Sequence, residues 1–265
     1  MLRSAFNTTT MLCTFSLALI PTLANAAEEI DPSKLLNLSL EQLSNISVTS
    51  VSKRSEKASE AAAAIFVITQ DDIRRSGMTS IPELLRMVPG LSVAQPSAHH
   101  WAISSRGFSG LFSNKLLVLM DGRSVYTPLF SGVYWDAQDT MLEDIERIEV
   151  IRGPGATLWG ANAVNGVINI ITKSSKDTQG NYVSVLAGNQ EKGGVSFRSG
   201  QKIGDDAYVR AYAKYNDRDQ TQTLSDTESY DDWNKAQAGF RADVKRSEKY
   251  SYTLQGDVYT SGAGG

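Results

Sequence analysis

The sequence predicts an α+β domain, a small mixed sheet with short helices, followed by antiparallel β-strands of the transmembrane kind that form an incomplete barrel. Three observations predict this. Apolar, β-branched runs bounded by Gly and Pro alternate with capped helix starts over residues 58–175. Polar, tyrosine-rich segments of period two fill residues 176–265. A secretory leader opens the chain.

The leader is read from Arg3, the apolar run Met11 to Ile20 and the small-residue cleavage site Ala24-Asn25-Ala26, so residues 1–26 are expected to be removed. The run is well short of the ~20 apolar residues a membrane-spanning helix needs. Cys13, the only cysteine, leaves with it, which removes disulfide, thiol and Cys–metal chemistry from the mature chain. A net charge of −3 and a pI near 5.5 argue against a nucleic-acid partner. Residues 27–57 form an N-terminal segment in which Leu35, Leu36, Leu40 and Leu43 could line a short amphipathic helix of no assigned purpose.

Within 58–175, Ala61 to Thr69 is long enough for one strand. Thr69 is placed as an N-cap with Asp71 and Asp72 in the first turn, and Gly77 ends that helix. Ser80-Ile81-Pro82-Glu83 repeats the start signal, and Pro89-Gly90 stops the second helix. Leu91 to Ala94, Ile103 to Arg106, Leu116 to Met120 and Ser124 to Tyr126 read as short strands, the last two joined by a tight Asp121-Gly122 turn. Ile148 and Val150, then Val164, Val167, Ile168, Ile170 and Ile171, give two closing strands around the glycine-rich stretch Gly153 to Gly166, with a short helix over 156–159.

That turn invites a phosphate-binding reading, but its spacing is neither G-x-G-x-x-G nor the Walker pattern, and Pro154 removes a donor. His99 and His100 are adjacent and diverge on either a strand or a helix, so a shared metal is not expected. No Ser, His and Asp constellation appears, and the run Glu143, Asp144, Glu146, Glu149 reads as a solvated or Arg-paired face rather than catalytic carboxylates. The chain reads as a non-enzyme without a cofactor.

From Asn181 onward the strands alternate. Ala236, Ala238, Phe240, Ala242 and Val244 oppose Gln237, Gly239, Arg241, Asp243 and Lys245, while Val209, Ala211, Ala213 and Tyr215 oppose Tyr208, Arg210, Tyr212 and Lys214. Residues 176–265 hold some five strands at ~9–11 residues each, and the smallest bacterial barrels use about eight. A truncated or partial chain is therefore expected.

With a capped helix, V-P-G-L, S-R-G-F, L-V-L-M-D-G, E-R-I-E-V-I-R-G-P and N-G-V-I-N-I-I-T-K in this order, Ala58 to Lys173 resembles the plug domain of TonB-dependent outer-membrane receptors. Residues 176–265 resemble the first strands of the accompanying barrel. The resemblance implies an exported protein of the Gram-negative outer membrane. Its plug would fill a barrel of about 22 strands, take a scarce ligand such as a ferric siderophore, haem or cobalamin from outside, and be energised by TonB. Ile46, Ser47, Val48, Thr49 and Ser50 look like the TonB box, an extended segment able to join a partner's sheet edge. Arg106 and Arg152 match positions that lock plug to barrel through wall glutamates, internal pairing with Glu143, Glu146 or Glu149 being the alternative. His99, His100, Trp101, Phe108, Leu111, Phe112, Tyr134 and Trp135 match apical or near-apical loops and imply ligand contacts. The rival reading is a soluble periplasmic plug-like binding or interaction module.

Overall fold

The computed structural model describes residues 47–48, 56–57, 64–107, 109–153, 159–160, 162–222, 229–247 and 249–264. The leader, Ile46, Thr49, Ser50, Phe108 and residues 154–158 of the glycine-rich turn lie outside them. All described residues fall in one compact unit, Ser44–Gly265.

Two strand pairs stand apart from the main sheets: β1 (Ser47–Val48) with β2 (Glu56–Lys57), and β4 (Leu91–Ala94) with β5 (Ala102–Ser105), both antiparallel. The α+β domain is built on a five-stranded mixed sheet of β3 (Ile65–Thr69), β6 (Leu116–Met120), β7 (Arg123–Ser124), β8 (Ile145–Arg152) and β9 (Gly166–Thr172). Their spatial order is β3-β8-β9-β6-β7, with β6 and β9 the parallel pair. Alternation along each strand decides the two faces. Leu116, Val118, Met120, Ile148, Val150, Ile168 and Ile170 join the main core with Trp101, Ile103 and Trp135, while Leu117, Leu119, Ile151 and Val167 form a smaller cluster on the other face.

The first helix, α1 (Gln70–Ser76), begins where the sequence places it. Thr69 Oγ1 accepts from Asp72 N at 3.2 Å, Asp72 Oδ2 accepts from Thr69 N at 2.9 Å, and Gly77 ends the helix in the left-handed region at φ 67°. The second start signal works one residue earlier than expected. Glu83 Oε2 accepts from Thr79 N at 2.9 Å, and Ser80, the N-cap by position, makes no side-chain cap. Helix α2 is then a single turn, Ile81–Leu84, passing into a 3-10 turn over Leu85–Met87 before Pro89-Gly90.

Other boundaries shift by a residue or two. The Asp121-Gly122 turn has positive φ at both positions, as a two-residue hairpin of primed type requires, and β7 follows it directly. Arg106 lies past β5 at φ 57°. Val164 is exposed ahead of β9 rather than part of it. The strand opens on Gly166 because a Cβ there would sit 2.4 Å from Ile151 O.

A 3-10 turn over Ser175–Thr178 leads into an antiparallel meander of β10 (Gly180–Leu186), β11 (Glu191–Ile203), β12 (Ala207–Arg218), β13 (Trp233–Lys245) and β14 (Ser251–Ala263). The last four are 12 or 13 residues long, more than the ~9–11 a tilted transmembrane strand needs. The meander is inside-out relative to a water-soluble sheet. Val183, Val185, Val195, Phe197, Tyr215, Phe240, Leu254 and Val258 face outward and exposed, whereas Arg210, Lys214, Arg218, Lys235 and Gln237 are buried against the α+β domain. Polar inside and apolar outside is the pattern of a barrel wall in lipid. Among the described residues no helix is long and apolar enough to cross a membrane.

Candidate functional site

The wall meets the α+β domain through charges that the sequence distributes on opposite partners: cations on the inward face of the strands, carboxylates on the domain's loops. Asp144, only 1% exposed, pairs with Arg198 and lies 3.5 Å from Arg210. Lys214 Nζ meets Asp139 at 2.7 Å and donates to Thr140 O at 3.3 Å. Arg218 joins Glu83, at 3.3 Å, to Glu191 of the neighbouring strand. Arg241 spans Asp121, at 3.5 Å, and Asp243, at 2.9 Å.

Backbone carbonyls are used as well. Lys235 Nζ donates to Asp136 O at 2.7 Å and Ala137 O at 3.2 Å, and Gln237 Nε2 donates to Asp139 O at 3.0 Å. Where the chain passes from domain to wall, Asp243 Oδ2 accepts from Ser175 N at 2.7 Å. Desolvated charges are tolerated only when paired and hydrogen-bonded, and most of this seam is paired between wall and domain, while Asp144 Oδ2, Arg198 Nε and Gln237 Oε1 are buried without a hydrogen-bond partner among the described residues.

Three members of the acidic run, Asp144, Glu146 and Glu149, are therefore Arg-paired, but by arginines other than Arg106 and Arg152. Glu146 and Glu149 both pair with Arg147, and Glu143 accepts from Tyr182 Oη at 2.7 Å. Arg106 and Arg152 meet each other instead. Arg106 Nη2 donates to Arg152 O at 3.2 Å, and Arg152 Nη1 donates to Pro89 O at 2.9 Å. Arg152 Nε is buried with no partner among the described residues. Neither arginine has a carboxylate in ion-pair reach among those residues.

These two arginines sit at a defined end of the sheet. Asn165 N donates to Lys115 O and Asn165 Nδ2 to Ser105 O, so the ends of β5 and β8 converge there with the starts of β6 and β9. The opposite end is marked by Lys173 N donating to Asp144 O, where the wall begins. Loops around 106–115 and 127–135 lie at the arginine end. In them Phe112, 65% exposed, packs edge-on to Phe130 with centroids 5.1 Å apart, and Phe130 to Tyr134 at 4.9 Å. Leu111 and Leu129, 39% and 80% exposed, extend this apolar patch.

The other expected ligand residues divide by burial. Trp101 and Trp135, 6% and 7% exposed, belong to the main core. Trp101 is also flanked by the guanidinium groups of Arg86 and Arg218 at 5.4 and 5.9 Å from its ring. His99 and His100 stack at 4.0 Å, and His100 Nδ1 lies 2.9 Å from Ser97 Oγ. Burial, then the neighbouring His100, hold the His99 imidazole below its usual pKa, and its Nδ1 is buried without a partner among the described residues. Among the described residues no three His, Cys, Asp or Glu side chains converge as a metal site. Of the expected TonB box, Ser47 and Val48 are extended and paired to β2, and Val48 is fully buried.

Sequence reasoning missed the wall cations and their acidic partners. The signal was present, since Arg210, Lys214 and Arg218 recur every fourth residue on one strand face.

A family model described as the TonB-dependent receptor plug domain matches residues 57–167. The vitamin B12 transporter BtuB of Vibrio cholerae is 32% identical over 179 residues, 68% of this chain and 29% of that protein. The Vibrio vulnificus BtuB is 31% identical over 173 residues, 64% of this chain and 28% of its own length. This chain thus spans less than a third of these relatives. Among solved structures, the pyoverdine-bound FpvA of Pseudomonas aeruginosa superposes with a TM-score of 0.66 at 17% identity, covering 84% of this chain and 28% of that one. The copper transporter OprC gives 0.61 at 17%, covering 76% and 31%. The siderophore receptor PirA of P. aeruginosa gives 0.53 at 23%, covering 75% and 35%. At these identities the structural likeness speaks for the fold alone.

Proposed function

This chain belongs to the TonB-dependent receptors through its plug domain, and we propose on that premise that it forms the plug and first wall strands of an outer-membrane importer for a scarce chelate or cobalamin-like ligand. The observation that carries the reading is the inside-out wall: strands long enough to cross a bilayer, apolar outside, with buried cations matched to plug carboxylates. A soluble plug-like module has no use for an outward row of Val185, Leu254 and Val258.

In this reading the plug is held in the lumen by the charged seam. Arg106 and Arg152 are the groups assigned to a lock with carboxylates of the wall, which the Nε of Arg152, buried and without a partner among the described residues, supports. The ligand lands on Phe112, Phe130 and Tyr134 at the arginine end of the plug and on the accessible edges of His99 and His100 at the tip of the β4–β5 hairpin, while Trp101 and Trp135 stiffen the loops from within. A faced aromatic cluster suits a large, flat or apolar chelate. TonB engages the extended segment at Ser47 and Val48 by strand addition, displacing its pairing with β2.

The test is uptake by the full-length gene product in a host lacking its own receptors, with and without TonB. The panel is vitamin B12, ferric enterobactin, ferric pyoverdine and copper. TonB-dependent accumulation of any one supports the proposal, and Val48→Pro, which removes a ladder donor, should abolish it. No TonB-dependent uptake of any member by a correctly inserted protein would overturn the transport reading for these ligand classes.

A further inference from the structure

The hairpin between β4 and β5 is held at its tip from outside the plug. Ala98 is fully buried; its N–H donates to Asp231 Oδ2 at 2.7 Å and its carbonyl accepts from Arg218 Nη1 at 3.2 Å. Both partners belong to the wall: Arg218 ends β12, and Asp231 lies in the connection from β12 to β13. Within the hairpin, Gln95 Nε2 adds a bond to the same carbonyl at 3.1 Å. The Ala98 N–H therefore finds its acceptor on the wall, and a buried backbone donor left unpaired is costly.

Asp231 is itself fixed for this task. Its Oδ1 accepts from Thr221 N at 2.7 Å and its Oδ2 from Thr221 Oγ1 at 2.8 Å, so both flanks of the connection are tied to the one carboxylate. Burial alone would raise its pKa, but hydrogen bonds from Ser229, Thr221 and the Ala98 N–H outweigh that and hold the carboxyl well below the usual range. It is therefore ionised, and a strong acceptor, at any physiological pH.

We propose that Asp231 is a positioning residue for the plug apex: through the Ala98 N–H it fixes the hairpin carrying His99, His100 and Trp101, so that the hairpin and the Thr221–Asp231 junction of the wall move as one body. Its relevance to ligand capture rests on the apex being the ligand-binding end of a transporter. The coupling itself does not. A ligand that shifts the hairpin also shifts the Thr221–Asp231 junction, and by reciprocity a displaced junction alters the hairpin's readiness for ligand.

The experiment uses the full-length receptor in native outer membranes with a nitroxide on His100→Cys, read by electron paramagnetic resonance alongside amide hydrogen exchange of peptides covering 95–101. The parent should show an immobilised label and slow exchange. Asp231→Ala should give a mobile label and about tenfold faster exchange, confined to 95–101. Asp231→Asn, which keeps an acceptor oxygen toward Ala98, should recover most of the parent behaviour. Asp219→Asn serves as the control, because Asp219 lies in the same connection but pairs with Lys192 at 2.8 Å rather than with the plug. It should change nothing at 95–101.

If Asp231→Ala does not insert, Thr221→Val keeps the carboxylate, loses one hydroxyl bond orienting it, and should raise exchange in the same peptides by a smaller factor. An immobilised label and unchanged exchange in Asp231→Ala, no rise in Thr221→Val, or equal loosening by Asp219→Asn would each overturn the proposal. None of these measurements depends on ligand uptake, so failure of the clamp and failure of the transport reading are told apart.

Discussion

Arg210 and Arg241 are direct partners across the β12–β13 ladder, and both donate to one hydroxyl, Thr172 Oγ1, at 3.1 and 2.9 Å. Like charges opposite one another on a sheet face repel. The wall accepts this pair because the plug brings Asp144 and Asp121 to them, and β13 adds Asp243. Thr172 is the last residue of the plug sheet, so the cluster fixes the point where the chain leaves plug for wall.

Asp144 should be the most sensitive carboxylate in this cluster, since it is almost fully buried between Arg198 and Arg210. Asp144→Ala leaves two desolvated cations short of a partner, a loss of about 3–5 kcal/mol. Chemical unfolding of the detergent-solubilised protein checks this. Asp71→Ala is the comparison, because the exposed Asp71–Arg75 pair at 3.5 Å should be worth at most about 0.5 kcal/mol.

Tyr126 gives a pH signature outside the wall. Its hydroxyl donates to Leu116 O at 2.9 Å, and burial pushes its pKa up to about 12. The neutral form is the one the fold favours, so the contribution is complete below the unfolded value near 10 and is lost as pH rises through about 12. Ultraviolet difference titration should show Tyr126 among the late phenolates. Tyr126→Phe should reduce the late absorbance change by one phenolate and cost about 1 kcal/mol at neutral pH. A normal titration midpoint for every tyrosine would refute it.

Features governed by local chemistry are legible in the sequence. The Thr69 capping box, the Gly77 stop, the Asp121-Gly122 hairpin and the faces of β12 and β13 depend on neighbours in the chain or on period-two alternation. Ser80 and Thr79 both precede the same Glu83, and only backbone geometry tells which N–H its carboxylate reaches. Pairings of the acidic run depend on distant strands. Arg198 and Arg210 approach Asp144 only after the meander folds back, and no spacing rule links 144 to 198 or 210. Burial of Trp101 and Trp135 against exposure of Phe112 is equally invisible, because aromatics in Gly- and Ser-rich loops look alike until the loops are placed.

Arg152 offers the sharpest functional prediction. One of its Nη atoms is bound to Pro89 O, and its Nε is buried but unpartnered among the described residues. A guanidinium fork of this kind is suited to a carboxylate approaching Nε and the remaining Nη together. In the full-length receptor, such a carboxylate on the wall would hold the plug at the end opposite the Asp144 cluster, making two anchors rather than one. Arg152→Ala should then free the arginine end alone. Amide exchange should quicken over 89–94 and 147–152 while peptides around Asp144 and Thr172 stay protected, and cells should become more permeable to a large hydrophilic antibiotic. Arg152→Lys should behave nearly as badly, because an ammonium cannot supply two parallel donors. If both variants keep parental exchange and permeability, Arg152 serves only the Pro89 carbonyl, and the plug is held by the seam of Arg198, Arg210, Lys214 and Arg218.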